Sequence, residues 1–80
     1  MSLEELTVLI VKSLVSDPES VSSKAFDEDD SLVIEVMVPE NDAKNVIGKE
    51  GKIANSIRTI VQASSFLKEN KKVKININVF

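Results

Sequence analysis

The stretch that decides the fold is Val46-Ile47-Gly48-Lys49-Glu50-Gly51-Lys52-Ile53, which holds the two glycines of this 80-residue chain, three positions apart. Glycine lets a backbone adopt positive φ and lets another chain approach it closely. Gly48 follows a short helix-forming run and ends it, whereas Gly51 precedes a long amphipathic run and begins it. The N–H groups at the start of a helix attract phosphate oxygen, and Lys49 and Lys52 add positive charge. The stretch therefore predicts an anion-binding turn between two helices.

The two helices beside this turn differ in length. Asn41 or Asp42 can cap a short helix over residues 43–47, and Gly48 ends it. The second helix follows Gly51 and runs to about Leu67, because its apolar residues recur at helical spacing. Its apolar face is formed by Ile53, Ala54, Ile57, Ile60, Val61 and the small Ser64. Its opposite, polar face carries Asn55, Arg58, Thr59 and Gln62.

Three strands are predicted outside these helices. Residues 73–79 alternate between apolar and polar side chains, the pattern of a half-buried strand. Residues 32–38 form a β-branched run of strand length, and Pro39 ends it because proline has no N–H for a ladder. Residues 20–26 predict a shorter and more polar strand. The acidic residues 27–30 predict the turn that joins it to the β-branched strand in a hairpin.

A further helix is predicted at the start of the chain. Ser2 and Glu5 have the spacing of a capping box, and leucine and isoleucine recur at helical spacing after them. Asp17-Pro18 ends the pattern, because a residue before proline is pushed out of the helical region. This helix covers about residues 3–16. The element order is α-β-β-α-α-β, which predicts a single α+β domain over residues 1–80, with three helices on one face of a three-stranded sheet.

Composition limits the possible functions. The chain is too short for a multidomain enzyme, and its 42% apolar and 29% charged residues are ordinary for a folded protein. Without His or Cys, metal sites and nucleophilic dyads lose their commonest members, so we expect no metal, no cofactor and no catalysis. The longest apolar run, residues 8–11, is far shorter than the roughly 20 residues that span a bilayer. Glu4 and Glu5 stand where a secretory signal would be basic, so a cytoplasmic protein is expected.

Two enzymatic interpretations of local motifs fail. A nucleotide-binding P-loop needs four residues between its glycines and Ser or Thr after the lysine, whereas here two residues separate the glycines and Ile53 follows Lys52. The four adjacent acids at residues 27–30 lack the contrasting environments that give paired carboxylates acid and base roles. We expect them to form a solvated turn.

Charge is distributed unevenly along the chain. Residues 1–42 hold eleven carboxylates and two lysines, a net charge of −9, whereas residues 43–80 hold eight basic and two acidic side chains, a net charge of +6. The overall charge of −3 hides this difference. The second half is therefore suited to an anionic partner, although a solvated charged face would give the same pattern.

The sequence from Val46 onwards resembles the KH signature VIGxxGxxIxxI. Val46, Ile47, Gly48, Gly51 and Ile57 match it in register, and Ala54 stands where the signature has its first downstream isoleucine. The element order resembles the prokaryotic, type II form of this fold. The length and layout are similar to those of the small bacterial stand-alone KH proteins of the KhpA family, over essentially the entire chain.

The resemblance implies a mixed sheet and a groove for about four unpaired nucleotides of RNA, clamped at the GxxG loop. In this chain, Gly48 and Gly51 would admit the phosphates, Lys49 would contact them, and apolar and basic neighbours would form the groove floor and rim. The residues implied to bind RNA are Lys44, Ile47, Gly48, Lys49, Glu50, Gly51, Lys52, Ile53 and Arg58. A role as RNA chaperone or post-transcriptional regulator rests on the resemblance alone.

Some residues depart from the family pattern. Glu50 and Lys52 stand where family loops usually have a neutral or basic residue and an arginine. Glu50 would repel phosphate if it points inward and would be harmless if it points to solvent, so we expect modest affinity for RNA per domain, aided by a second copy or a partner. The three phenylalanines are scattered, and there is no Trp or Tyr, so stacking of bases on an aromatic sheet is not expected.

A different class of function is also compatible with the sequence. The chain could be a protein-interaction module that pairs with itself or with a second KH-domain protein, with RNA binding weak or secondary. The long helix over residues 53–67 and the sheet edge are the surfaces that would serve this role.

Overall fold

The computed structural model describes residues 1–80. Three helices and three strands follow the predicted order α-β-β-α-α-β. In chain order they are α1 (Leu3–Lys12), β1 (Ser22–Glu28), β2 (Ser31–Val38), α2 (Ala43–Ile47), α3 (Lys52–Lys68) and β3 (Lys72–Val79). Short 3₁₀ turns occur at Pro18–Ser20, Glu40–Asp42 and Lys49–Gly51. None of the helices is both long and apolar enough to cross a bilayer.

The sheet is mixed, with β2 between β1 and β3. β1 runs antiparallel to β2, and β3 runs parallel to it. Ala25, Ile34 and Ile75 lie side by side across the three strands and set the register. The α+β class and the mixed three-stranded sheet are therefore confirmed.

The core lies between one face of the sheet and the three helices. Alternate residues of β2 on this face, Ile34, Val36 and Val38, are fully buried. The complete core cluster is Leu3, Val11, Val21, Ile34, Val36, Val38, Val46, Ile57, Val61 and Ile75. The opposite face of the sheet carries the other alternate residues, among them Phe26, Val33 and Lys74 in one row.

The first helix begins as predicted and ends early. Ser2 Oγ accepts from the Glu5 N–H at 3.0 Å, and the Ser2 N–H donates to Glu5 Oε1 at 2.8 Å, which confirms the capping box. The helix ends at Lys12 rather than near residue 16. The Ser16 N–H and hydroxyl donate to Asp42 Oδ1, both at 2.9 Å, so the chain leaves the helix to reach a residue 26 positions later.

Asp42 does not cap α2 with its side chain, contrary to the prediction for Asn41 or Asp42. It occupies the cap position, but its carboxylate accepts from Ser16 and, at 3.3 Å, from the Asn45 side-chain amide. Asp42 is 1% exposed. The Ser16 backbone N–H, aided by the hydroxyl, holds the pKa of the Asp42 carboxyl below its usual value. This buried carboxylate joins the end of α1 to the start of α2.

The hairpin is shifted from its predicted bounds. β1 begins at Ser22 rather than residue 20, because Pro18–Ser20 forms a 3₁₀ turn. The acidic turn is also shorter than residues 27–30, since β1 continues to Glu28, which pairs with Ser31. Only two residues join the strands, and the first of them, Asp29, takes a left-handed φ of 54°.

Candidate nucleic-acid interface

The GxxG loop, Gly48-Lys49-Glu50-Gly51, joins α2 to α3 with a positive φ at three of its four residues. Gly48 has φ 76° and its N–H donates to the Lys44 carbonyl at 2.9 Å, which ends α2. Gly51 has φ 73° and precedes α3, and its N–H donates to the Gly48 carbonyl at 3.2 Å. Glu50 between them also has a positive φ of 58°. The loop is therefore a tight turn held by its own backbone.

The two glycines are required for different reasons. A Cβ atom on Gly48 would lie 2.6 Å from Ile53 Cγ1 and 2.9 Å from Ile53 Cδ1, so both packing and φ demand glycine there. A Cβ atom on Gly51 would have only Asn55 Nδ2 near it, at 4.0 Å. Gly48 is thus a packing residue, whereas Gly51 leaves an open surface at the start of α3.

The start of α3 has the properties of an anion site. No side chain accepts a hydrogen bond from its first-turn N–H groups. The helix dipole places partial positive charge at the same point. Lys49 and Lys52 are exposed on either side of Gly51, and Lys44 is exposed on α2. The Gly51 and Lys52 N–H groups already donate to the Gly48 and Lys49 carbonyls. An anion that approaches Gly51 therefore meets the positive end of the helix dipole and lysine charge.

The apolar residues of the signature are divided between the core and the surface. Val46 and Ile57 are buried in the core, with exposures of 0% and 2%. Ile47 and Ile53 are half-buried, and Ile53 packs against the core and beneath Gly48. Ile47 and Ile53 are therefore the apolar residues beside the loop that a ligand could touch.

Arg58 lies further along α3 than the loop lysines. Its Nε donates to the Ile75 carbonyl of β3 at 3.2 Å, and its Nη1 donates to Asn55 Oδ1 at 3.0 Å. These bonds fix the guanidinium over the free edge of β3. Arg58 thus marks a groove between α3 and β3 that leads away from the GxxG loop.

The basic second half of the chain separates into two groups in space. Lys71 and Lys74 form ion pairs with Asp27 and Glu28 of β1, at 3.1 and 3.5 Å. These residues lie at the hairpin end of the sheet, where β3 begins beside Ser31. The loop lysines Lys44, Lys49 and Lys52 form no ion pair. Three of the six unpaired cations of the second half therefore lie at or next to the GxxG loop, and the other three are Arg58, Lys68 and Lys72.

Two residues of the groove were missed in the sequence. The Gln62 side chain bonds the edge of β3 twice, donating to the Lys71 carbonyl at 2.9 Å and accepting from the Val73 N–H at 2.9 Å. Phe66 follows Gln62 by one turn and is 57% exposed. The sequence feature that could have indicated Phe66 is its helical spacing from Thr59 and Gln62, which puts an apolar residue on the predicted polar face of the helix. The groove has a volume of about 480 Å³ and is lined by Arg58, Thr59, Gln62, Ala63, Phe66 and Val73.

The chain matches a protein family over most of its length. The model described as KhpA/KhpB, KH domain matches residues 4–77. RNA-binding protein KhpA of Clostridium perfringens is 44% identical over 75 residues, which cover 94% of this chain and 99% of that protein. The KhpA proteins of Listeria monocytogenes and Thermotoga maritima are 43% and 32% identical, each over 94% of this chain and 97% of the relative. These names describe RNA-binding proteins and not enzymes, in agreement with the prediction that the chain is not catalytic.

Two solved structures share the fold. They are a variant of Aquifex aeolicus Era bound to GDP and aluminium fluoride, and Era in complex with MgGDPNP and nucleotides 1506–1542 of 16S ribosomal RNA. Each has a TM-score of 0.59 and 22% identity, covering 99% of this chain and 31% of the Era chain. This likeness supports the α-β-β-α-α-β fold.

Proposed function

Because this chain belongs to the family of KhpA and KhpB KH domains, we propose that it binds single-stranded RNA, without catalysis, through the GxxG loop and the cleft beside it. The observation that carries the proposal is the group of three unpaired lysines around Gly51, where the backbone has no side chain to block an approaching phosphate. Lys44, Lys49 and Lys52 form no ion pair, whereas Lys71 and Lys74 are paired at the other end of the sheet.

The RNA backbone is held at the loop. Gly51 presents no side chain, so a phosphate can closely approach the start of α3, where the helix dipole is positive. Lys49 and Lys52 provide charge on either side of that phosphate. Gly48 contributes indirectly, since its lack of a Cβ atom lets Ile53 pack beneath the loop. Each neutralised phosphate makes binding more sensitive to salt.

The bases lie in the cleft beside the loop. Ile47 and Ile53 are half-buried and offer apolar contact there, while Arg58 offers a cation at the edge of β3, where the groove begins. A KH cleft holds about four unpaired nucleotides. Glu50 is exposed within the loop and repels phosphate, so the affinity of one domain is modest. We further propose a role as RNA chaperone or post-transcriptional regulator in the cytoplasm, which the relatives' description as RNA-binding proteins supports.

Binding to a pool of short RNAs at two salt concentrations tests the proposal. Lys49→Asp should weaken binding at the lower salt concentration, because it places a carboxylate beside the phosphate. Lys72→Asp is the matched control, since it changes the net charge equally on an exposed residue at the hairpin end of the sheet. Equal loss in both variants would show that overall charge, and not the loop, governs binding.

A second candidate function is association with itself or with another KH-domain protein. Ile60 and Leu67 lie two turns apart on α3, and they are 50% and 89% exposed. This apolar stripe borders the groove, because Ala63 lies one turn from both residues. Sedimentation of the free chain and of Leu67→Lys checks it: a dimer that the substitution dissociates supports the stripe as an interface, and a monomeric wild-type chain excludes self-association.

A further inference from the structure

Phe66 is an exposed aromatic side chain in an otherwise polar row of α3. It follows Gln62 by one turn and Thr59 by two turns, so the three side chains share the face that borders β3. Phe66 is 57% exposed, and the core cluster does not include it. It therefore offers aromatic surface that the core does not use.

The groove around Phe66 has fixed walls. Gln62 bonds both the Lys71 carbonyl and the Val73 N–H, and Arg58 bonds the Ile75 carbonyl, so two side chains tie α3 to the edge of β3. Ala63 and Val73 complete an apolar surface beside the ring. A ligand that enters this groove need not order its walls, which lowers the entropic cost of binding.

The contents of the groove suit a nucleobase. A base offers a flat apolar face for the ring and polar edges for neighbouring donors. Arg58 supplies a cation, and none of the six lining residues is acidic. The groove runs along α3 away from the loop. Phe66 lies 14 residues after Lys52, which is about 21 Å at the rise of an α-helix.

We propose that Phe66 stacks one base of the bound RNA, beyond the nucleotides that the GxxG loop and its adjoining cleft hold. The inference rests on the proposed function, and it assigns this chain a longer RNA footprint with an aromatic contact at its far end.

Comparison of two RNA lengths tests the inference. The shorter RNA has about four nucleotides, which the cleft beside the loop accommodates, and the longer RNA has twice that length. Phe66→Leu keeps an apolar side chain but removes the ring. It should weaken binding of the longer RNA by about fivefold or more, the lower end of the effect of losing a base stack, and leave the shorter RNA unaffected. Phe66→Trp should preserve the affinity for the longer RNA.

A fluorescent base gives a second measurement. With 2-aminopurine at either end of the longer RNA, one of the two labelled strands should change its fluorescence on binding wild-type protein. That change should be absent with Phe66→Leu. Since Phe66 is exposed, thermal unfolding should be unaffected by the substitution and serves as the folding control.

The outcomes separate this inference from the proposed function. Lys49→Asp should weaken binding of both RNA lengths. If it does so while Phe66→Leu changes neither, the stacking inference is wrong and the loop assignment stands. If Lys49→Asp has no effect on either length, the proposed function itself is wrong, and the inference falls with it. A change in oligomeric state on Phe66→Leu, with unchanged RNA affinity, would make the groove a protein contact and overturn the inference.

Discussion

Gly48 and Ile53 are packed so closely that a single added methyl group on Gly48 would lie 2.6 Å from Ile53 Cγ1. The contact holds the GxxG loop against the first turn of α3. It also makes the two glycines unequal, because the corresponding position on Gly51 faces open space.

Replacement of the two glycines by alanine should therefore differ in cost. Gly48→Ala combines a clash with a positive φ at an extended ψ, a region that essentially only glycine occupies, and we expect it to lower the free energy of unfolding by about 2–4 kcal/mol. Gly51→Ala meets only the left-handed φ and should cost about 1 kcal/mol. Urea denaturation of the two variants measures the difference. Equal costs would contradict the packing role of Gly48.

Glu50 should weaken RNA binding through its charge. Glu50→Gln removes the carboxylate beside the loop lysines and should tighten binding by roughly 1.5-fold to 5-fold, the range of an exposed charge pair. Glu69→Gln is the matched control, because it removes an exposed carboxylate at the other end of α3. Fluorescence anisotropy with one labelled RNA measures both. Tightening by the control alone would exclude a local effect of Glu50.

Asp42 should make stability depend on pH in the acid range. Its pKa is lowered in the folded state by the Ser16 N–H, so its contribution to stability is present above the unfolded aspartate pKa of about 3.9. That contribution is lost as the pH falls through the lower pKa of the folded state. Denaturation over a series of pH values should show a shallower acid loss for Asp42→Asn. Glu5, whose pKa the Ser2 N–H also lowers, leaves a residual slope of the same sign. An unchanged slope in Asp42→Asn would contradict the assignment.

Gln62 should stabilise the edge of β3. Gln62→Ala removes two hydrogen bonds to the edge of β3, and we expect it to lower the free energy of unfolding by about 1–3 kcal/mol. Gln62→Glu retains the acceptor for the Val73 N–H but loses the donor to the Lys71 carbonyl, so it should fall between wild type and alanine. Chemical denaturation measures the free energy of unfolding of the three proteins and therefore their order of stability. Alanine and wild type of equal stability would show that the bonds contribute nothing net.

Local patterns in the sequence were sufficient for the elements and for the place of the loop. The capping box of Ser2 and Glu5, the alternation in β3 and the spacing of the two glycines depend on residues near one another in the chain. The early end of α1 could not be predicted in this way, because it depends on the bond between Ser16 and Asp42, 26 positions apart.

The ion pairs and the groove could not be predicted from local sequence patterns either. Lys71 appeared equivalent to Lys49 in the sequence, but its ion pair with Asp27 forms across 44 positions and removes it from the unpaired set. The roles of Gln62 and Phe66 depend on how closely α3 approaches the edge of β3. That distance follows from packing of the whole domain and not from the spacing within either element.

The salt dependence of RNA affinity tests the central claim most directly. Lys49→Gln combined with Lys52→Gln removes two unpaired loop lysines, whereas Lys71→Gln combined with Lys74→Gln removes two ion-paired ones. If the loop holds the phosphates, the slope of log affinity against log salt should fall by about 1.4 for the loop pair, roughly 0.7 for each phosphate contact with a single strand. The hairpin-end pair should leave the slope unchanged. Equal slopes in the two double variants would contradict the assignment of RNA binding to the GxxG loop.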